Sequence, residues 1–138
     1  MKILDATAAD RAMWYNKENP LTTFVDVRPE MKPNIVMDIT KPYFQDKEFD
    51  LIIFDPPHIP TGPENTGVFA KKYGRFSANQ IRELIRDAFN EFYRILKDEG
   101  LVIFKFNDHS FPLKKVILQY FLLRRKLSHR SFQDSLLV

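Results

Sequence analysis

Four short apolar runs mark the first half of the chain: Ile3-Leu4, Thr23 to Val27, Ile35 to Met37, and Phe49 to Phe54. Each is rich in β-branched or aromatic residues and bounded by polar turn formers, which predicts strands. Leu51-Ile52-Ile53-Phe54 is apolar without alternation, as in a parallel strand buried on both faces. Leu101 to Phe106 predicts a fifth strand. Between these runs the period changes. Over Ala78 to Lys97, Ile81, Leu84, Ile85, Ala88, Phe89, Phe92, Ile95 and Leu96 recur at helical spacing. Ser77 and Gln80 form a capping-box pair ahead of that helix, and Gly100 stands where a helix-ending glycine is expected. A second helix is predicted from Pro112 to about Lys126, with proline at its first turn. A short one is predicted over Ala8 to Lys17, closed before Pro20.

Strands alternating with helices predict an α/β protein built on an open, mainly parallel sheet with flanking helices. One link is too short for the rule. Only Arg28 to Asn34 separates the second and third strands, where a parallel crossover needs about a dozen residues. Either the third strand pairs unusually, or the helix that should precede it is missing. At 138 residues the chain is expected to be one domain, residues 1–138. The final strand pair of such a sheet is reduced to Ser135-Leu136-Leu137-Val138, so the fold reads as minimal.

Composition removes several chemistries. There are no cysteines, which excludes disulfides, thiolate metal sites and cysteine nucleophiles. His58, His109 and His129 are too scattered for metal-ligand spacing, so no metal is expected. No run approaches the ~18 apolar residues of a membrane span. Met1-Lys2-Ile3-Leu4-Asp5 lacks the apolar core of a signal peptide. A cytoplasmic protein with no membrane partner is the resulting expectation. Net charge is +3 but unevenly spread. Residues 1–69 carry seven Lys and Arg against eleven Asp and Glu, and residues 70–138 carry fourteen against seven. A basic half suits a polyanion such as nucleic acid, and an acidic half suits a cationic ligand; solvated helix faces account for part of the same excess. The stretch from His58 to Ser77 is the longest irregular one and holds a basic-aromatic patch, Phe69 to Phe76. Loops of that length are functional or disordered. Lys71, Lys72, Tyr73 and Arg75 are its candidate substrate-binding residues, with cations for phosphate and an aromatic ring for a base.

In an open α/β sheet, ligands bind at the carboxyl ends of the strands. Here the first four strands end in Asp5, Asp26, Asp38 and Asp55. A lone aspartate at a strand end is commonly a turn or cap residue. Four together concentrate like charge, which costs energy unless a cation or hydrogen-bond donors fill the cleft. The last is followed by Pro56-Pro57-His58.

At Asp55-Pro56-Pro57-His58 the sequence resembles the S-adenosylmethionine (SAM) dependent methyltransferases of class I, in particular the amino-methylating group with an Asp/Asn-Pro-Pro-aromatic motif. It is similar to small phage or prokaryotic proteins described as DNA-methylase-like, which carry a DPPH motif after the fourth strand. Ile3 to Trp14 looks like the first SAM-binding motif, Thr23 to Arg28 like the ribose-binding strand, and Tyr93 to Lys105 like the helix and strand that follow. The resemblance implies a Rossmann-like fold and SAM as cofactor. It implies that Asp5, Ala6, Thr7, Ala8, Asp26, Val27, Asp38 and Ile39 bind that cofactor. Asp5 would attract its amino group, Asp26 would accept its ribose hydroxyls, and Asp38 would receive the adenine amino group. Asp55, Pro56, Pro57 and His58 would be catalytic. The Asp55 carboxylate and Pro56 carbonyl would accept hydrogen bonds from an exocyclic NH2, favouring its reactive pyramidal form, and His58 would stack on the target ring. Adenine N6 or cytosine N4 in DNA is the implied acceptor, with RNA second, and the same motif also serves guanine in RNA and glutamine in proteins.

The chain departs from the family in its first motif, where Thr7, Ala8, Ala9 and Asp10 replace the usual glycines. That departure, the short second link and the reduced end support an alternative. In it, a catalytically degenerate methyltransferase fold binds nucleic acid or a partner subunit without catalysis. For target recognition, a homodimer or a partner subunit is expected. A nicotinamide-binding domain is disfavoured, since it lacks Gly-x-Gly-x-x-Gly and leaves Asp55 to His58 unexplained. Met13 and Trp14 read as core residues of the first helix, Lys105 as a snorkelling strand residue, and His129-Arg130-Ser131 as either a substrate contact or an exposed loop.

Overall fold

A computed structural model of the chain describes residues 1–61 and 76–107, with Pro112 and Lys114. Five strands run parallel: β1 (Ile3–Asp5), β2 (Thr22–Asp26), β3 (Ile35–Val36), β4 (Phe49–Phe54) and β5 (Leu96–Phe104). One α-helix, α1 (Ala78–Ile95), joins β4 to β5. The strands lie in the order β3-β2-β1-β4-β5. The chain moves outward from β1 through β2 to β3, then returns to the other side of β1 for β4 and β5. The expectation of an α/β protein with a parallel sheet is met. The second helix, Pro112 to Lys126, and the segment Ser135 to Val138 lie outside the described residues, apart from Pro112 and Lys114.

Register decides what each face carries. Successive strand residues point to opposite faces, and Leu4, Ile52 and Val102 pair in one row. Leu4 and Ile52 are fully buried against Ile81, Ile85, Ala88 and Phe92 of α1. Phe54 continues that face, its ring edge-on to Phe92 at 4.9 Å and stacked on Phe104 at 5.7 Å. The opposite face carries Asp5, Phe24, Ile53 and Ile103 in a row. No α-helix of the described residues covers it, and Leu101 and Ile103 are 68% and 49% exposed.

The helix begins as its sequence predicts. Ser77 Oγ accepts from the Gln80 amide, and Gln80 Oε1 accepts from the Ser77 amide at 2.8 Å. It ends earlier than predicted, at Ile95, and Gly100 does not cap it. The Lys47 and Glu48 amides donate to the carbonyls of Arg94 and Ile95 at 2.9 and 2.7 Å. Those orphan acceptors are satisfied by another part of the chain, so no left-handed glycine is required. β5 therefore starts at Leu96. Gly100 serves a bulge instead: Leu96 pairs with Phe49 and Leu101 with Leu51, so residues 97–100 bulge out opposite Asp50.

The short link between β2 and β3 is resolved without a helix. β3 pairs in parallel with only Val25 and Asp26, at the far end of β2. The chain must retrace about 7 Å, two residues at ~3.3 Å each, rather than a whole strand. A single 3-10 turn, Pro29–Met31, followed by left-handed Lys32 (φ 50°), does this. Asn34 Oδ1 accepts from the Phe24 amide at 2.8 Å, filling the ladder position that β3 is too short to reach.

A Cβ on Gly100 would lie 2.7 Å from Leu96 Cγ and Cδ1 and 3.0 Å from the Lys97 carbonyl oxygen. Gly100→Ala is expected to destabilise the fold by about 1–3 kcal/mol through overpacking, seen as a lower midpoint in urea unfolding with an unchanged slope.

Candidate active site

The segment after β1 was expected to be a helix over Ala8 to Lys17, and it is a series of turns. Ala9 and Arg11 adopt left-handed backbone (φ 43° and 55°), which breaks any helix there. Side chains from elsewhere hold the segment instead. Asp26 Oδ2 accepts from the Ala9 amide at 2.9 Å, and Arg11 donates to the Lys32 carbonyl at 3.0 Å while its guanidinium lies over Phe24 at 4.2 Å. Met13 is exposed rather than a core residue. Trp14 is half-buried on the face opposite α1, edge-on to Phe24 at 5.4 Å.

Trp14 also supplies the partner of the first predicted carboxylate. Its Nε1 donates to Asp5 Oδ2 at 2.7 Å, and the Thr7 amide donates to Oδ1 at 3.2 Å. Asp5 is buried at the centre of the sheet. Burial pushes its carboxyl above the ordinary range. The bonds from Trp14 and Thr7 pull against this, and the charges of Asp55 and Asp26 add to it. Ala6 and Ala8 are buried beside it and bond into the sheet, to the carbonyls of Ile53 and Val25, both at 2.9 Å.

Asp26 is also buried, but its charge is balanced. Arg28 Nε reaches Oδ1 at 2.9 Å and the far guanidinium nitrogen reaches Oδ2 at 3.0 Å, a bidentate pair. The Arg28 amide donates to Oδ1 as well, at 2.9 Å. Burial raises this carboxyl, and the bonds from Arg28 and Ala9 outweigh it, so the group titrates below its ordinary value. Val27, between them, is exposed. Asp38 is exposed and accepts from the Thr40 amide and hydroxyl at 2.9 and 2.7 Å, a local turn. Ile39 is buried in the core.

Asp55 follows β4 immediately. Its amide donates to Thr7 Oγ1 at 2.9 Å, tying the turn to the segment after β1. Its Oδ2 is held by Lys105 Nζ at 2.7 Å. Lys105 therefore does more than snorkel from the sheet edge, and its residue type alone gave no sign of this. Pro56 is buried, and its carbonyl lies 3.3 Å from His58 Nδ1. The His58 ring lies edge-on to Phe106, centroids 6.2 Å apart.

The structure thus gathers Asp5, Thr7, Asp26, Asp55 and Lys105 at the carboxyl ends of β1, β2, β4 and β5, where the strand order reverses about β1. Asp38 stands apart on the surface. Lys71, Lys72, Tyr73 and Arg75 lie outside the described residues, as does His129-Arg130-Ser131. The ends of the segment that carries the basic patch are pinned beside His58: the Thr61 amide donates to the Phe76 carbonyl at 2.9 Å, and the Phe76 amide to Thr61 Oγ1 at 3.3 Å. Two open cavities lie at the opposite, amino-terminal edge of the sheet. One is bordered by Glu18, Thr22 and Asn34 and reaches up to Arg11 and Phe24, the other by Asp46, Tyr93 and Asp98, and the carboxylates above line neither. Among the described residues no group of three metal-ligating side chains forms, and no helix is long and apolar enough to cross a membrane.

No protein-family model, no curated protein and no solved structure matches this chain.

The donor set suits a cationic ligand: carboxylates at the ends of three adjacent strands, one of them without a cationic partner among the described residues. A ribose diol meets one obstacle, because both Asp26 oxygens already accept bonds. Arg28 is the solvent-facing half of that pair, with 24% of its side chain exposed against 5% for Asp26. A diol at Asp26 would have to displace the Arg28 guanidinium or the Ala9 amide from those oxygens.

Removing the guanidinium strands a buried charge. Arg28→Met is expected to cost on the order of 3 kcal/mol at pH 7. The depressed Asp26 titration stabilises the fold above the ordinary value of 3.8, and that contribution is lost as pH falls through the lower folded-state value. The gap between wild type and variant in thermal melts should therefore be full at neutral pH and close below pH 3.8.

Proposed function

We infer that the chain is a Rossmann-like, SAM-dependent methyltransferase that methylates an exocyclic amino nitrogen of a nucleic-acid base. Adenine N6 or cytosine N4 in DNA is the first acceptor, and RNA the second. The observation that carries this reading is the position of Asp55-Pro56-Pro57-His58. The motif leaves β4 beside Asp5 of β1, at the point where the strand order reverses, which is where open α/β sheets bind their ligands.

SAM supplies an electrophilic methyl group on a sulfonium. The protein's own part is to hold the acceptor. Asp55 Oδ1 and the Pro56 carbonyl accept the two N–H groups of the incoming amine, drawing electron density onto a nitrogen whose lone pair is otherwise delocalised into its ring. Two consecutive prolines fix the backbone that aims the carbonyl. His58, close to that carbonyl and braced by Phe106, offers a ring face to the base. The methyl group would pass from sulfur to nitrogen, the S–C electron pair staying on the donor as a neutral thioether, and the nitrogen's proton would go to the Asp55 carboxylate or to water. A base within duplex DNA must first be flipped out of the stack. The basic patch Lys71, Lys72, Tyr73 and Arg75, in a segment anchored at Thr61 and Phe76, supports a phosphate-bearing substrate.

A second reading is favoured by a specific observation. Arg28 and Ala9 occupy both Asp26 oxygens, and the segment after β1 contains no glycine. A fold so arranged serves as a nucleic-acid- or partner-binding module without catalysis.

Tritiated-SAM transfer to pools of DNA, RNA and protein, with calorimetric titration of SAM, separates the two. Asp55→Ala is expected to lower transfer by about 10²–10³-fold with SAM affinity nearly unchanged. Asp26→Asn is expected to weaken SAM binding instead. Wild-type transfer by both variants removes the assigned roles. No heat at millimolar SAM, with DNA binding intact, selects the binding module.

A further inference from the structure

We propose that Lys105 is a positioning residue for the acceptor carboxylate, holding Oδ2 of Asp55 so that Oδ1 is left to receive the incoming amino group. This rests on the methyl-transfer reading of the site.

The residues just beyond two neighbouring strands clamp Asp55, each by a different atom. In the turn after β1, Thr7 Oγ1 accepts the Asp55 amide at 2.9 Å and fixes the backbone. Just past β5, the Lys105 amide donates to the Phe54 carbonyl at 2.9 Å, extending the β4–β5 ladder by one step. That bond sets the register that brings Lys105 Nζ to 2.7 Å from Oδ2. Oδ1 takes no hydrogen bond from the described residues. The carboxylate is thus half occupied, in one orientation, by a cation delivered on a rigid strand pair.

Charge gives Lys105 a second reason to be there. Asp5, Asp26 and Asp55 share one region of the sheet, and Asp55 already disfavours ionisation of Asp5. Arg28 compensates Asp26, and Trp14 and Thr7 donate to Asp5. Without Lys105, repulsion from Asp5 would drive the Asp55 carboxylate outward toward water, away from the Pro56 carbonyl with which it must act. With the Lys105 side chain 57% exposed, the pair contributes little to global stability. Its contribution lies in geometry, and this makes the test clean. The ion pairs Lys47–Asp98 and Lys97–Asp50, by contrast, lie at the amino-terminal edge, remote from the motif.

The test compares full-length wild type with Lys105→Met and Lys105→Arg. In the Met variant kcat should fall about 10²-fold, the scale of an ångström-sized misplacement of a reacting group. SAM affinity and melting temperature should stay at wild-type values, and Lys105→Arg should recover to within about tenfold by restoring the charge. A merely structural role would lower melting temperature and SAM affinity together with kcat. Wild-type kcat in Lys105→Met overturns the proposal. If wild type itself methylates no acceptor, the functional reading falls, and crystal structures of wild type and Lys105→Met then decide the positioning role alone. An Asp55 carboxylate unmoved in the variant refutes it, and one rotated to solvent sustains it.

Discussion

Asp5 stands where the rest of the site is decided. Its carboxylate is buried between two strands, within reach of the fields of Asp26 and Asp55, and among the described residues no cation is paired with it. A parallel sheet forces this crowding, because strands running the same way present their carboxyl ends on one edge. Each acid at that edge must then find its own solution. Among the described residues, Asp26 takes a bidentate guanidinium, Asp55 takes an ammonium on one oxygen, and Asp5 has only neutral donors. Among those residues, then, a carboxylate without a cationic partner sits beside one whose second oxygen takes no hydrogen bond.

The loop after β1 shows how these acids also shape the backbone. Asp5 accepts from Trp14 and Thr7, and Asp26 accepts from Ala9, so two strand-end carboxylates hold the loop at three points. Those bonds compete with helical ones and win, since they satisfy buried charge as well as amides. The loop in turn fixes Asp55 through Thr7. A change at one acid is therefore transmitted to the others through the backbone rather than through space alone.

The sheet divides labour between its faces. One is closed by α1 over a cluster of phenylalanines, Phe54, Phe89, Phe92 and Phe104, whose edge-to-face and stacked contacts fill the space between helix and strands. The other carries Trp14, Phe24 and Asp5. Ile52 and Phe54 of β4 lie in the core and Asp55 follows its end, so the motif is mounted on a strand anchored in the core.

Much of this was legible in order along the chain. Unbroken apolar runs marked strands, helical spacing with Ser77 and Gln80 marked α1, and Asp5, Asp26 and Asp55 marked the carboxyl ends of their strands, because period, capping and strand-end residue types are local properties. Other features were settled only by residues far apart in sequence. Ala8 to Lys17 has a composition fit for a helix, yet Asp26 draws its backbone into turns. Gly100 looked like a helix cap, yet the Lys47 and Glu48 amides end the helix and leave glycine to a bulge. Lys105 looked like surface, and Asp26 like an open acceptor, until strand register and the turn at Arg28 brought a cation to each carboxylate. Sequence fixed which groups could carry charge at the strand ends; tertiary pairing decided which of those charges were cancelled, because an ion pair depends on distance in space and not on position in the chain.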